Sequence, residues 1–248
     1  MFFLRNGLHL PAGRATFFRR IKERFENMSC DRLKICETFS SIQGESTHAG
    51  RPCFFIRLAG CNLRCSYCDT AWAQESASCG FEQTVDELCR QAKSSGIHLV
   101  EITGGEPMLQ KEAVCLLAEK LLAQGHTVMM ETNGSQDVSS LPEKVIRVID
   151  WKTPSSGEAA KMLESNFRSL RPQDEVKFVC SDEADYRFAL EKIRIFRMNE
   201  QTRNLLLSPV YGTLPCAALV EWVLRDHAPV RVNLQIHKYI WDPQKRGV

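Results

Sequence analysis

From Lys34 onward, short apolar and β-branched runs alternate with longer stretches in which apolar positions recur every three or four residues. The first kind predicts strands at Lys34–Phe39, Cys53–Leu58, His98–Thr103, Thr127–Glu131, Val145–Asp150, Glu175–Cys180, Asn204–Val210 and Val230–His237. The second predicts helices at Thr84–Ser95, Glu112–Gln124, Glu183–Ile195 and Cys216–Arg225. In the second helix Val114, Leu117, Leu121 and Leu122 share a face. Thr84, with Glu87 three residues on, forms a capping box, and Gly125 stands where a C-cap glycine belongs. Alternating β and α segments predict an α/β fold: a largely parallel sheet with helices outside, open or closed into a barrel.

Such folds gather their working residues at the carboxyl ends of the strands. Six polar or glycine-rich clusters fall there. They are the cysteines Cys61, Cys65 and Cys68; Thr103-Gly104-Gly105-Glu106-Pro107; Glu131-Thr132-Asn133-Gly134; Asp150-Trp151-Lys152-Thr153-Pro154-Ser155-Ser156-Gly157; Ser208-Pro209-Val210-Tyr211-Gly212; and Gln235-Ile236-His237-Lys238. Any one of these, taken alone, reads first as a turn. Chance supplies one or two such coincidences, not six.

Charge and composition narrow the class. The chain of 248 residues carries 32 basic and 30 acidic residues, and that near balance argues against bulk binding of nucleic acid or a membrane surface. No apolar stretch approaches the roughly 20 residues of a membrane-spanning helix. Residues 1–27 are basic, with Arg5, Arg14, Arg19, Arg20, Lys22 and Arg24 against Glu23 and Glu26. They read as an extension, either a transit-type segment or upstream sequence translated from a mis-assigned start. The core domain is placed at 28–248. Eleven cysteines, without the apolar run and cleavage site of a signal peptide, fit a reducing cytoplasm and a thiolate-held metal centre.

The spacing Cys61-x-x-x-Cys65-x-x-Cys68 is the most specific chemical signal. Three thiolates can hold a [4Fe–4S] cluster and leave one iron without a protein ligand, whereas four would saturate it. A structural zinc site takes four protein ligands and no second Cys/His pair is near. Cys79, in a polar loop, is the remaining candidate for a fourth ligand. Cys53, Cys89, Cys115 and Cys180 lie in apolar periodic runs and read as small hydrophobic side chains.

Together with Thr103-Gly104-Gly105-Glu106-Pro107, the three cysteines resemble the radical S-adenosylmethionine (SAM) superfamily. There the open iron chelates SAM, and an electron from the reduced cluster cleaves it to methionine and a hydrogen-abstracting 5′-deoxyadenosyl radical. Further segments are similar to the 7-carboxy-7-deazaguanine synthase family. These are Phe39-Ser40-Ser41-Ile42-Gln43-Gly44-Glu45-Ser46, Cys68-Asp69-Thr70, Asp150-x-Lys152-x-Pro154-Ser155-Ser156-Gly157 and Gln235-x-His237-Lys238. Ser46 departs from the glycine usual at that position. The resemblance runs from about Lys34 onward. It implies a shortened, modified (β/α) partial TIM-type barrel, a homodimer, a Mg²⁺ requirement and an electron donor such as flavodoxin or ferredoxin. The implied reaction, a carbon–nitrogen lyase step in queuosine biosynthesis, converts 6-carboxy-5,6,7,8-tetrahydropterin to 7-carboxy-7-deazaguanine with loss of ammonia. The alternative is a radical SAM activase acting on a protein partner.

The residue roles follow from that likeness. Cys61, Cys65 and Cys68 bind the cluster; Gly104, Gly105 and Glu106 contact the methionyl part of SAM; Asn133, Lys152 and Ser155 are further SAM contacts. Ile42, Gln43, Gly44, Glu45 and Thr103 meet the substrate, whose polar edge Gln43, Glu45, Glu131 and His237 read. Arg57, in an otherwise apolar run, is expected to take the substrate carboxylate because its fork of donors suits a planar anion. Arg57, Glu131 and His237 are the candidate catalytic residues, and Thr70 the Mg²⁺ ligand with Asp69 beside it.

Overall fold

The computed structural model describes residues 31–75 and 80–248, so the basic extension and Cys79 lie outside the described residues. Its centre is a sheet in the order β3-β1-β2-β4-β5-β6-β7-β8-β9. The strands are β1 (Arg32–Ile42), β2 (Pro52–Leu58), β3 (Phe81–Thr84), β4 (Leu99–Gly104), β5 (Thr127–Thr132), β6 (Ile146–Asp150), β7 (Glu175–Cys180), β8 (Asn204–Pro209) and β9 (Arg231–Val232). From β2 through β4 to β9 neighbouring strands are parallel and follow chain order. Only β1 runs antiparallel, to both β2 and β3. This is a partial, modified (β/α) barrel.

Helices α1 (Val85–Ser95), α2 (Lys111–Ala123), α4 (Glu183–Ile195) and α6 (Cys216–Arg225) follow the predicted periodicity. The capping box that starts α1 is formed in full: the Glu87 N–H donates to Thr84 Oγ1 (3.2 Å), and the Thr84 N–H to Glu87 Oε2 (2.7 Å). Val85, Leu88, Cys89 and Ala92 are buried on one face of that helix, against the outer side of the sheet. Between β5 and β7 the barrel is abbreviated, with only short turns and α3 (Ser165–Arg168) where full helices would stand. The remaining short helices are α5 (Met198–Gln201) and α7 (His237–Ile240).

The two faces of the strands have different fates because side chains alternate. Outward residues such as Ile56, Val100, Ile102, Val128, Met130 and Ile149 join the large core beneath the helices. Inward residues form a smaller apolar floor of Cys53, Phe55, Leu99, Met129 and Val148. Above that floor the same alternation raises Glu101 and Thr103 on β4, Glu131 on β5, Asp150 on β6 and Lys177 on β7.

Two predictions fail locally. The strand expected at Val230–His237 pairs only over Arg231–Val232, against Leu206 and Leu207. Beyond it the chain crosses the mouth of the sheet: the Ile236 N–H donates to the Gly44 carbonyl (2.9 Å), and His237 opens α7. Polar partners across the opening replace the strand ladder. The strand β3 is absent from the sequence reading because Phe81-Glu82-Gln83-Thr84 is short, polar and at the sheet edge.

Candidate active site

The loop after β2 carries the three cysteines and lies against the glycine pair after β4, because Leu58 is in register with Gly104. The two backbones are in contact there. A Cβ on Gly105 would sit 2.1 Å from the Gly60 carbonyl oxygen, and one on Gly104 2.3 Å from that of Leu58. Glycine is required because no side chain fits between the strands. The Gly105 and Glu106 N–H groups donate to the Leu58 and Gly60 carbonyls (3.1 and 2.8 Å) and lock the contact.

Cys61, Cys65 and Cys68 face one cavity of about 660 Å³. All three are free thiols and partly buried. Their loop is pinned at Leu63, which is 1% exposed, at Arg64, whose N–H donates to Glu158 (2.7 Å), and at Ser66, whose N–H donates to the Ser156 carbonyl (3.1 Å). Burial pushes the Cys65 thiol up to about 11, opposed by the Lys152 ammonium; burial raises Cys61 too. The Leu63 N–H and the Asn133 amide donate to Cys61 Sγ (3.4 and 3.6 Å). Donors and a cation directed at the sulfurs are what thiolates bound to iron need. Among the described residues no three His, Cys, Asp or Glu side chains converge closely enough to hold a single metal ion. Three free thiols on one cavity, with those donors beside them, fit a cluster.

Opposite the cysteines the cavity is lined by charge. Lys177, 5% exposed, is ion-paired to Glu45 (2.8 Å) and to Glu131, with Asp150 at 3.9 Å. Burial opposes its charge, but those carboxylates prevail and hold the amine well above its usual value. Burial likewise opposes the Glu45 charge, and Lys177 more than offsets it, so Glu45 lies below the ordinary range. Asp150 also accepts from Lys152 (2.7 Å), and its Oδ1 has no hydrogen-bond partner among the described residues. Gln235 donates to Glu45 (2.8 Å) and Lys238 to Asp69 (2.8 Å), which ties the crossing segment to the cavity wall. Burial holds His237 below the ordinary histidine value.

The cavity brings together most of the predicted site residues: Ile42, Gln43, Gly44, Glu45, Arg57, the three cysteines, Thr70, Thr103, Gly104, Gly105, Glu131, Asn133, Lys152 and His237. Gly44 has a steric role, since a Cβ there would lie 2.1 Å from His237 Nδ1. Ser46, where glycine was expected, occupies the left-handed backbone region at φ 65°. That conformation costs a non-glycine residue about 1 kcal/mol.

Three residues differ from expectation. Glu106 is fully buried and does not line the cavity: its carboxyl accepts from Thr132 Oγ1, the Asn133 N–H and the Met108 N–H (2.8, 2.7 and 2.9 Å). It fastens the β4 turn to the end of β5. Ser155 also lies off the cavity; its carbonyl accepts from Ser66 Oγ (2.6 Å), supporting the cysteine loop. Arg57 already has an anion, Glu37, at 2.9 Å across the β1–β2 pair.

Sequence reasoning passed over Lys177, Glu101 and Asp150 as site residues. A signal was present: Glu101 in Leu99-Val-Glu-Ile-Thr103 and Lys177 in Glu175-Val-Lys-Phe-Val179 are charges inside otherwise apolar strand runs. Such charges require a polar interior.

Comparison with known proteins points to one family. The sequence profile of the radical SAM superfamily matches residues 55–152. The 7-carboxy-7-deazaguanine synthase of Koribacter versatilis (strain Ellin345) is 38% identical over 229 residues, covering 87% of this chain and 100% of its own. That of Chlorobaculum tepidum is 42% identical over 219 residues, covering 87% of this chain and 97% of its own. The crystal structure of QueE from Escherichia coli shares the fold with a TM-score of 0.66 at 21% identity, covering 82% of this chain and 93% of that one.

Proposed function

The chain belongs to the 7-carboxy-7-deazaguanine synthase family of radical SAM enzymes, and from that membership we propose that it is a carbon–nitrogen lyase. It converts 6-carboxy-5,6,7,8-tetrahydropterin to 7-carboxy-7-deazaguanine with release of ammonia, in queuosine or related deazapurine biosynthesis. The observation that carries the reading is the meeting, around one cavity, of the three-cysteine loop with Gln43, Glu45, Glu131 and His237.

Cys61, Cys65 and Cys68 would hold a [4Fe–4S] cluster, and the Gly104-Gly105 backbone, Asn133 and Lys152 would border SAM. Together the reduced cluster and SAM supply the hydrogen-abstracting species. The chain's own residues bind and orient. Glu45 and Glu131, fixed by Lys177, accept from the amino edge of the pterin, and neutral His237 packs on Gly44 beside them. Arg57 reaches the substrate carboxylate as a guanidinium shared with Glu37. Thr70 would offer a hard hydroxyl oxygen to a Mg²⁺ ion, which would supply positive charge toward the substrate carboxylate. A cytoplasmic setting, a homodimer and a flavodoxin- or ferredoxin-type donor complete the proposal. No helix among the described residues is long and apolar enough to cross a membrane.

Anaerobic turnover tests it. Reconstituted protein receives SAM, Mg²⁺, a reductant and 6-carboxytetrahydropterin, and the product is read by mass and ultraviolet absorbance. Formation of 7-carboxy-7-deazaguanine, abolished in Cys65→Ala, is expected. SAM cleavage without that product would sink the substrate assignment.

A further inference from the structure

Six side-chain carboxyl groups line the cavity; Glu37 pairs with Arg57 and Asp69 with Lys238, which leaves Glu45, Glu101, Glu131 and Asp150. Two ammonium groups serve them: Lys177 pairs with Glu45, Glu131 and Asp150, and Lys152 with Asp150. Glu101 is the carboxyl left over. It is 3% exposed, and among the described residues no cation lies within ion-pair distance of it. An unpaired buried carboxylate is costly enough that the group takes a proton instead. The charges facing it from the neighbouring elements pull in both directions. Glu131 on β5 and Glu45 beyond β1 repel a charge on Glu101, while Lys177 on β7 and Arg57 on β2 attract it without pairing. Burial dominates and holds the Glu101 carboxyl well above the carboxylate range. The Cys53 thiol, also on β2, is itself raised by burial and by Glu101, and contributes no cation.

The hydrogen bonds assign the two oxygens. The Glu45 N–H donates to Gln43 Oε1 (2.7 Å), which fixes the amide so that its Nε2 donates to Glu101 Oε2. That oxygen is therefore an acceptor. Glu101 Oε1 has no partner among the described residues and is not among the sealed, unsatisfied atoms, so it borders the void.

We propose that Glu101 works as a neutral carboxylic acid whose free O–H donates a hydrogen bond to an acceptor atom of the bound heterocycle. Glu45 and Glu131 accept from the substrate, and Glu101 alternates with them as a donor. The site thereby selects a ring edge that offers an acceptor between donors, and it rejects an analogue with a donor at that point. The inference rests on the pterin reading above and names which wall residue tells acceptor from donor.

Glu101→Gln and Glu101→Leu separate the outcomes, each in anaerobically reconstituted protein. Glutamine keeps both roles, since its oxygen accepts from Gln43 and its amide donates to the ligand; leucine keeps neither. The expected result is kcat/KM for the carboxypterin within a few-fold of wild type in Glu101→Gln. Glu101→Leu should lose roughly 10- to 100-fold, mostly in KM. Infrared difference spectra of wild type against Glu101→Gln should show the carbonyl stretch of a protonated carboxyl near neutral pH. Equal losses in the two variants, or a carboxylate band in its place, would overturn the proposal. Failure of wild type itself to turn over the carboxypterin would overturn the pterin reading instead.

Discussion

Lys177 is the residue on which the charged wall depends. With its amine removed, Glu45 and Glu131 lose the cation they share inside a buried cavity. Breaking a buried pair from one side costs about 3–5 kcal/mol, because the remaining charge is left uncompensated. Lys177→Met is thus expected to lower the unfolding free energy by about that much in a denaturant titration. A loss under about 1 kcal/mol would show that water already screens the cluster. Gly44 offers a subtler test. An added methyl would occupy the space of the His237 ring, so Gly44→Ala should turn the ring aside. We expect kcat/KM to fall by roughly 10- to 100-fold, while thermal stability moves little, as a displaced site group demands. At this scale the sequence was readable wherever a residue's chemistry is local. The cysteines, Gln43, Glu45, Glu131 and His237, singled out by motif, all line one cavity. The Glu106 carboxyl turns inward onto Thr132, Asn133 and Met108, a placement that only the fold shows.

Among the elements, the link between β6 and β7 is held by an ion cluster rather than by a helix. Arg147 on β6 donates to Asp174 through Nε (3.0 Å), and Arg171 donates through Nη2 (3.0 Å). Burial would raise the Asp174 carboxyl; the two guanidinium groups prevail and hold it below its usual value. A carboxyl with a depressed folded pKa contributes stability that is complete above its unfolded value, roughly 3.9, and is lost as pH falls through the lower folded value. Asp174→Asn should therefore cost about 3 kcal/mol near pH 7, and its deficit should shrink below about pH 4. Chemical denaturation across pH measures both; a deficit that is constant with pH would contradict the ionic account. The sequence predicts the helices and most strands because hydrophobic period and caps are local. It misses β3 and extends the last strand, since an edge strand and a polar crossing segment owe their conformation to partners distant in sequence.

Across the whole molecule, the parallel sheet leaves an opening, and the chain beyond β9 lies over it. Residues 243–248 line the cavity, and the Arg246 guanidinium stacks 4.1 Å from the centre of the Trp72 ring, on the cysteine-loop side. A cation over a partly exposed indole contributes about 0.5–1 kcal/mol. Arg246→Ala should accordingly raise KM for the substrate by roughly two- to five-fold with kcat little changed. An unchanged KM would mean that this contact does not shape the entrance. Alternating periods in the sequence determined an α/β fold, and the three cysteines with the glycine pair determined the class of chemistry, because both signals are written in neighbouring residues. Which carboxyl goes without a cation, which glutamate is structural, and how the segment after β9 reaches Gly44 and Asp69 were decided by the tertiary structure. Burial and charge pairing depend on what lies across the cavity, and no local window of sequence contains that.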